Sequence, residues 1–141
     1  MISTLSLGHR EAQAALQAIQ DELARRGLAA VIAIADVHGE LIALLRLDGA
    51  PLASVQIAAN KAWTAARERK PTRQIGQDAR DPDNGFDMAY YGDRRYIGWG
   101  GGLPVLVGDQ VVGSVAVSGL PEFVDMELAE LGVQAIHALA G

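Results

Sequence analysis

The chain has 141 residues, of which 50% are hydrophobic and 21% are charged, and its formal net charge is −5. This length and composition predict one globular domain, residues 1–141, with a single hydrophobic core. The acidic balance argues against a nucleic-acid partner and against an anionic membrane surface, because both favour basic patches. Since the chain has no cysteine, disulfides, thiolate nucleophiles and Cys-ligated metal centres are excluded.

No apolar run approaches the roughly 20 residues that a membrane-spanning helix needs. The first residues become polar too soon for the apolar region of a secretory signal. We therefore expect a cytoplasmic protein without a membrane partner.

The chain begins with a predicted helix and a predicted hairpin. Residues 7–26 carry apolar side chains at helical spacing, and Gly27 follows a basic last turn. Two apolar runs, 31–35 and 41–47, flank the turn 36–39 and predict a β-hairpin. Because both runs are almost continuously apolar, we expect both strands to be covered on both faces.

A helix rich in small residues is predicted from Pro51 to about Arg69. A surface helix usually has a polar back face, whereas this one is apolar on both sides, so we expect it to be enclosed. Lys61 is the only charged residue on its second side. A desolvated lysine can act as a base, a Schiff-base amine or an anion clamp. Alternatively, its stem covers neighbouring alanines while its ammonium group reaches solvent.

Thr72 is expected to cap a short helix that runs to about Arg80, after a break at Pro71. Residues 81–95 then form the least regular segment, which is rich in Asp and Tyr. Long loops in compact domains are usually functional, mobile or partly disordered.

The runs 105–107 and 111–117 predict a second hairpin, and a last helix is expected from Glu122 to Ala140. Consecutive hairpins favour an antiparallel sheet over a doubly wound one. The predicted fold class is therefore α+β, in a single domain.

A glycine cluster, 98–104, precedes the second hairpin. It lacks the residue order and the strand–turn–helix context of a phosphate-binding loop. Its glycines permit positive φ and close backbone approach, and its N–H groups could hold a carboxylate or another oxyanion. The alternative is a tight bend that leads into the hairpin.

Other polar residues accompany Lys61. Thr64 shares its helix face at a spacing of three residues. Arg46 and Asp48, in the turn before the helix, either complete a site or form an ordinary ion pair. His9, at the edge of the first helix's apolar face, could ligate a metal or have a structural role. No pair of histidines has the HxxxH spacing of a zinc site.

Two regions together resemble the GlcG/HbpS family, whose members are labelled haem-binding or haem-degrading. The first is residues 36–65, DVHGELIALLRLDGAPLASVQIAANKAWTA. The second contains the turn GGLPV at 101–105 and a hairpin that ends in VSG at 117–119. Pro121 and Asp125 fit the family's opening of the final helix.

The resemblance implies a profilin-like α+β fold with an antiparallel sheet of about five strands flanked by helices. It implies homo-oligomers, from dimers to octamers, and a haem cofactor or a related ligand. Some members lie beside catabolic enzymes for small organic acids or aromatics. In haem-binding relatives, a threonine at the position of Thr64 or a histidine of the first helix, here His9, is implicated at the iron.

Three functions remain open. The first is binding of haem or a related planar ligand. The second is a cofactor-free isomerase, tautomerase or lyase that acts on a small oxo-acid or an aromatic-catabolism intermediate. The third is an accessory protein in an assembly.

In the enzyme hypothesis, Lys61 and Arg46 hold a carboxylate, and Asp48 or Asp36 moves the proton. The amides of residues 100–102 stabilise an oxyanion. Across the first two hypotheses, the expected ligand-binding residues are Arg46, Asn60, Lys61, Thr64, Trp99, Gly100, Gly101 and Gly102.

Overall fold

The computed structural model describes residues 1–140, which form an α+β domain with four α-helices and a four-stranded antiparallel sheet. The helices are α1 (His9–Arg26), α2 (Ser54–Glu68), α3 (Thr72–Ala79) and α4 (Glu122–Ala140). The strands are β1 (Val31–Ala35), β2 (Leu41–Arg46), β3 (Gly102–Val107) and β4 (Gln110–Ser118).

The sheet has the strand order β2-β1-β4-β3. Each hairpin pairs its own two strands, and the hairpins are joined through β1 and β4, where Ile32 lies opposite Val117. The two central strands therefore come from the first and the last part of the chain.

The two faces of the sheet carry side chains of different size. On one face, Ile32, Ile34, Val115 and Val117 pack in a core with residues of α1 and α4. On the other, β1 and β4 present mainly alanine, and these side chains pack against Ala58 and Ala62 of α2. Small residues on both surfaces let α2 approach the sheet closely, which explains the composition of that helix.

The prediction that α2 is enclosed on both sides is confirmed. Lys61 is 2% exposed and Thr64 is fully buried, although both lie on its second side. The glycine-rich segment that leads into β3 covers them, because Gly102 lies against the backbone of Lys61.

Two predictions about the sheet are wrong. Strand β1 is completely buried, but β2 is an edge strand whose ends, Leu41 and Arg46, are exposed. The expected fifth strand is absent from the described residues. The segment before β3 instead hydrogen-bonds the side chain of Thr64, through Arg95 and Ile97. The profilin-like description stays a prediction.

Some boundaries differ from those expected. Helix α2 begins at Ser54, since Pro51–Ala53 form the preceding turn. Pro71, not Thr72, occupies the position before α3. Residues 81–95 include a one-turn 3-10 helix, Met88–Tyr91, capped by the Asp87 carboxylate. No helix within residues 1–140 is long and apolar enough to cross a bilayer.

Candidate functional site

A cleft of about 300 Å³ lies beside the first half of α2, between the segment before β3 and the β4–α4 turn. We call it the lysine cleft, because it includes the buried Lys61. The residues that line it are Ser54, Ile57, Lys61, Trp99, Gly100, Ser118, Gly119, Leu120, Glu122 and Asp125. Of the predicted site residues, the structure therefore brings Lys61, Trp99 and Gly100 together.

A buried ion pair joins Lys61 of α2 to Asp125 in the first turn of α4. The Lys61 ammonium lies 3.3 Å from Asp125 Oδ2 and donates a hydrogen bond of 3.0 Å to the Val117 carbonyl. Asp125 Oδ1 accepts from the Leu120 N–H at 3.2 Å. Both side chains are only 3% exposed. One pair thus connects α2, β4 and the start of α4.

Burial shifts both members of the pair toward their neutral forms. Desolvation lowers the pKa of Lys61 and outweighs the attraction of Asp125. Desolvation also raises the pKa of Asp125 to about 6, although Lys61 and the backbone N–H groups of the β4–α4 turn oppose this shift. The lysine cleft therefore contains an acid and an amine whose affinities for a proton are brought closer together.

Glu122 is the second carboxylate of the lysine cleft. Its Oε1 accepts a 2.7 Å hydrogen bond from the Gly100 N–H, and its Oε2 lies 3.1 Å from Arg73. The Gly100 N–H is the largest cause of the lowered pKa of Glu122. Trp99 lies at the rim with 60% of its surface exposed. The cleft thus combines a paired acidic residue, an exposed indole and the buried ammonium group.

The glycines at 100–102 allow the segment before β3 to pack closely against α2 and β4. Gly101 has φ +128°, and a β-carbon there would lie 2.5 Å from the Val117 oxygen and 2.8 Å from Lys61 Nζ. The Gly100 N–H is bonded to Glu122, and the Gly102 N–H donates to the Thr72 hydroxyl at 3.0 Å. Two of the three amides expected to stabilise an oxyanion therefore already have internal acceptors.

Thr64 and Asn60 do not line the cleft. The Thr64 hydroxyl donates to the Arg95 carbonyl at 3.0 Å and accepts from the Ile97 N–H at 3.3 Å. The Asn60 carbonyl oxygen accepts from the Gln56 amide at 2.8 Å. Thr64 thus anchors the segment before β3.

The remaining predicted site residues lie elsewhere. Arg46 and Asp48 are exposed at the end of β2 and in the following turn, outside the lysine cleft. Asp36 accepts hydrogen bonds from the backbone N–H groups of His38 and Glu40, which fixes the β1–β2 turn. His9 is the exposed first residue of α1. The structure does not bring these residues to Lys61.

Asp125 and Glu122 are site residues that sequence reasoning missed. Acidic residues in the first turn of a helix are common because they interact favourably with the helix dipole, so position alone indicates neither as a site residue, although Asp125 fits the family's pattern. A signal was nevertheless present. Asp125 precedes Leu128, Ala129 and Gly132 at spacings of three, four and seven, and all four residues are buried. A charge on that stripe indicates a buried partner.

A family model described as haem degrading protein HbpS-like matches residues 7–134. The chain belongs to the HbpS-like family. This confirms the resemblance drawn from residues 36–65 and from the second hairpin. Among curated relatives, Protein GlcG of Escherichia coli is 32% identical over 118 residues, covering 84% of this chain and 85% of that protein.

Two solved structures are similar to the HbpS-like chain. Protein ORFY of Klebsiella pneumoniae has a TM-score of 0.92 at 28% identity, covering 98% of this chain and 95% of that one. The PduOC:haem complex has a TM-score of 0.84 at 23% identity, covering 93% and 95%. The second likeness shows a shared fold.

The residues of the lysine cleft suit the periphery of a haem better than its iron. Their side chains include no His, Tyr, Cys or Met, which are the usual protein ligands of haem iron. Among residues 1–140 there is also no group of three or more His, Cys, Asp or Glu side chains that could hold a metal ion. What the cleft does offer is an ammonium group and an indole.

Proposed function

We propose that this HbpS-like chain binds a small carboxylate-bearing ligand in the lysine cleft. One observation carries the proposal: a buried ammonium group lies among the residues of an accessible cleft that has an exposed indole at its rim. Charge-assisted hydrogen bonds to a carboxylate are stronger than neutral ones, and an aromatic side chain adds contact area. A ligand carboxylate would compete with Asp125 for Lys61.

Haem is the first ligand to test, because it is planar and carries two propionate groups. Support comes from the description of the family and from the fold shared with a haem complex. Lys61 would hold a propionate and Trp99 would lie against the ring. Since no side chain of the cleft is a usual ligand of haem iron, the proposed contacts involve only the porphyrin periphery.

The test is a titration with hemin and, separately, with metal-free protoporphyrin IX, followed by the Soret band and by tryptophan fluorescence. We expect saturable binding of both, weakened about tenfold or more in Lys61→Met, because a charge-assisted hydrogen bond contributes about 1.5–3 kcal/mol. His137→Ala is the control, since His137 contacts the Leu106 carbonyl and does not line the cleft.

Other outcomes of this titration would count against the proposal. If hemin binds and protoporphyrin IX does not, recognition depends on the iron. Loss of binding in Thr64→Val but not in Lys61→Met would place the ligand near Thr64 and would contradict the lysine cleft.

A second candidate function, a cofactor-free enzyme acting on a small oxo-acid, is favoured by the proton affinities of the Lys61–Asp125 pair. In this version Lys61 would hold the substrate carboxylate without Arg46, and Asp125 would move the proton in place of Asp48 or Asp36. Incubation of 2-oxobutanoate in D₂O, followed by ¹H NMR, tests it. Exchange of the C3 protons faster than in buffer, lost in Asp125→Asn and kept in Arg46→Gln, would support catalysis.

If neither porphyrins nor oxo-acids bind, the accessory role is favoured. Homo-oligomerisation and a cytoplasmic location stay predictions, as does a link to catabolism.

A further inference from the structure

A second pocket, of about 220 Å³, lies at the other end of α2, next to the β1–β2 turn. We call it the basic pocket. The residues that line it are Val37, His38, Ala66, Arg67, Arg69, Tyr96 and Val111. Two arginines and a histidine are among these residues, and no carboxylate is.

The arginines of the basic pocket keep their charge available. Neither Arg67 nor Arg69 forms an ion pair within residues 1–140. Asp93, whose pKa is lowered mainly by Arg95 and to a smaller extent by Arg67, pairs with Arg95 at 2.8 Å, and Asp36 accepts backbone N–H groups in its turn. Within residues 1–140, the Arg67 side chain donates one hydrogen bond, a long one of 3.5 Å, to the His38 carbonyl.

Arg69 adopts an unfavourable backbone conformation. It ends α2 with φ +60° and ψ +32° and is the only non-glycine residue with positive φ in the described part of the chain. Glycine usually occupies this position, because a β-carbon there costs about 1–2 kcal/mol. An arginine therefore lines the pocket at a position where glycine would be more stable.

The indole of Trp63, one turn before Arg67, packs against two residues of the pocket, although Trp63 does not itself line it. Trp63 is 4% exposed, and its Nε1–H has no acceptor among the described residues. The ring contacts two residues that line the pocket: the Arg67 guanidinium lies 4.7 Å from its centre and the Tyr96 ring 4.8 Å. Buried donors are nearly always satisfied, so this exception calls for an explanation.

We propose that the basic pocket binds the dianionic oxyanion group, phosphate or dicarboxylate, of a small ligand. The planar forks of Arg67 and Arg69 match the oxygen geometry of both groups. Basic residues near the C-terminus of a helix also interact favourably with its dipole. That explanation accounts for the charge but not for the strained backbone of Arg69.

The basic pocket is separate from the lysine cleft. With a rise of 1.5 Å per residue, Lys61 and Arg69 lie about 12 Å apart along the axis of α2, and the two sites share no lining residue. Binding here does not depend on the function proposed for Lys61.

The experiment is calorimetric titration with inorganic phosphate and with malonate, with ionic strength held constant by sodium chloride. We expect saturable binding of at least one of them, and their relative affinities identify the preferred group. In Arg67→Gln and in Arg69→Gly, binding should weaken about tenfold or more. Arg46→Gln is the matched control, because it removes an exposed arginine outside the pocket.

Arg69→Gly keeps the test free of unfolding, because glycine relieves the strained backbone and should preserve or raise thermal stability without the anion. The proposal is overturned if neither anion binds saturably to the wild type. Unchanged affinity in Arg69→Gly, or an equal loss in Arg46→Gln, overturns it as well.

Discussion

Lys61 and Asp125 are two charged side chains in a place where charges are expensive to bury. Each is desolvated, yet each also satisfies backbone groups, Val117 for the lysine and Leu120 for the aspartate. Such a pair contributes little net stability but is strongly destabilising when only one member remains. It therefore enforces the mutual placement of α2, β4 and α4 around the lysine cleft.

Replacing Lys61 alone should destabilise the fold. Lys61→Met leaves an uncompensated carboxylate in the interior, so we expect the free energy of unfolding to fall by about 3–5 kcal/mol in urea denaturation. Lys70→Met is the control, because it removes an exposed pair with Asp78 and should change stability by less than about 1 kcal/mol. Adding Asp125→Leu to Lys61→Met should restore much of the loss, and a further loss would contradict the coupling.

Asp125 should also make stability depend on pH. Burial raises its pKa from 3.8 to about 6, so between these values the folded chain binds more protons than the unfolded chain. Its contribution to the free energy of unfolding therefore falls as the pH rises from about 4 to 6, by at most roughly 3 kcal/mol. Glu122 acts in the opposite direction, because its pKa is lowered and its stabilisation is lost in acid.

Two measurements check this pH dependence. The carboxyl carbon of Asp125 should titrate by NMR with a midpoint near 6. Urea unfolding at several pH values should show the decline in the wild type and not in the Lys61→Met/Asp125→Leu double variant. A midpoint near 4 would show that burial does not raise the pKa of this carboxyl group.

For these individual residues, the sequence could single out a lysine among alanines but could not identify the partner of that lysine. Asp125 lies far along the chain, and only the packing of α4 against β4 brings it to Lys61. The roles expected for Arg46 and Asp48 rested on closeness in sequence. The turn that carries them contributes no residue to the lysine cleft.

Helix α2 fits against the sheet because nearly every residue at the contact is small. Alanines of the helix face alanines of β1 and β4, and the carbonyl of Ala62 accepts a hydrogen bond from Ser114. Gly102, at the start of β3, continues this close approach. Helix α2 thus places Lys61 against the sheet, and Arg69 directly follows the last residue of the helix.

Gly102→Ala should disrupt that contact. A β-carbon at Gly102 would lie 2.6 Å from the Lys61 carbonyl oxygen and 2.8 Å from the Thr72 side chain. We expect a loss of about 3 kcal/mol in the free energy of unfolding, since backbone atoms would have to move. Gly92→Ala, with φ +73° and no neighbouring atom within 4 Å, is the control and should lose only about 1 kcal/mol.

Helices and hairpins could be predicted from periodicity and turn residues, because local sequence determines them. The exposure of β2 could not, since an apolar run does not reveal whether a strand lies at the edge. The expected fifth strand is not formed within the described residues for a related reason. The Arg95 carbonyl and the Ile97 N–H are hydrogen-bonded to the side chain of Thr64 and not to another strand. A single sequence does not show that a side chain, and not a neighbouring strand, will accept and donate these backbone hydrogen bonds.

The surface of the molecule carries exposed apolar side chains near the lysine cleft. Leu52 is 72% exposed, Trp99 60% and Phe123 68%. Trp99 lines the cleft, Phe123 follows the lining residue Glu122, and Leu52 lies two positions before the lining residue Ser54. Apolar surface of this kind often marks an interface. A second copy of the chain is the partner that the sequence predicts.

Light scattering coupled to size exclusion should therefore give a mass above that of one chain. Phe123→Arg together with Leu52→Arg should lower the mass, because burying a charge in such a contact is unfavourable. Glu130→Arg is the control, since it changes the charge of an exposed residue of the same helix. A monomeric wild type would contradict the prediction of a homo-oligomer.

The central pairing of β1 with β4 has a consequence for how the chain reaches its native state. Each hairpin can form from neighbouring residues, but the facing edges of β1 and β4 stay unpaired until the two hairpins meet. Closing the long intervening segment carries an entropic penalty before the pairing is rewarded. Folding should therefore be limited by this encounter, because non-local pairings form slowly. On the ribosome, β1 would remain without its central neighbour until nearly the entire chain had been synthesised.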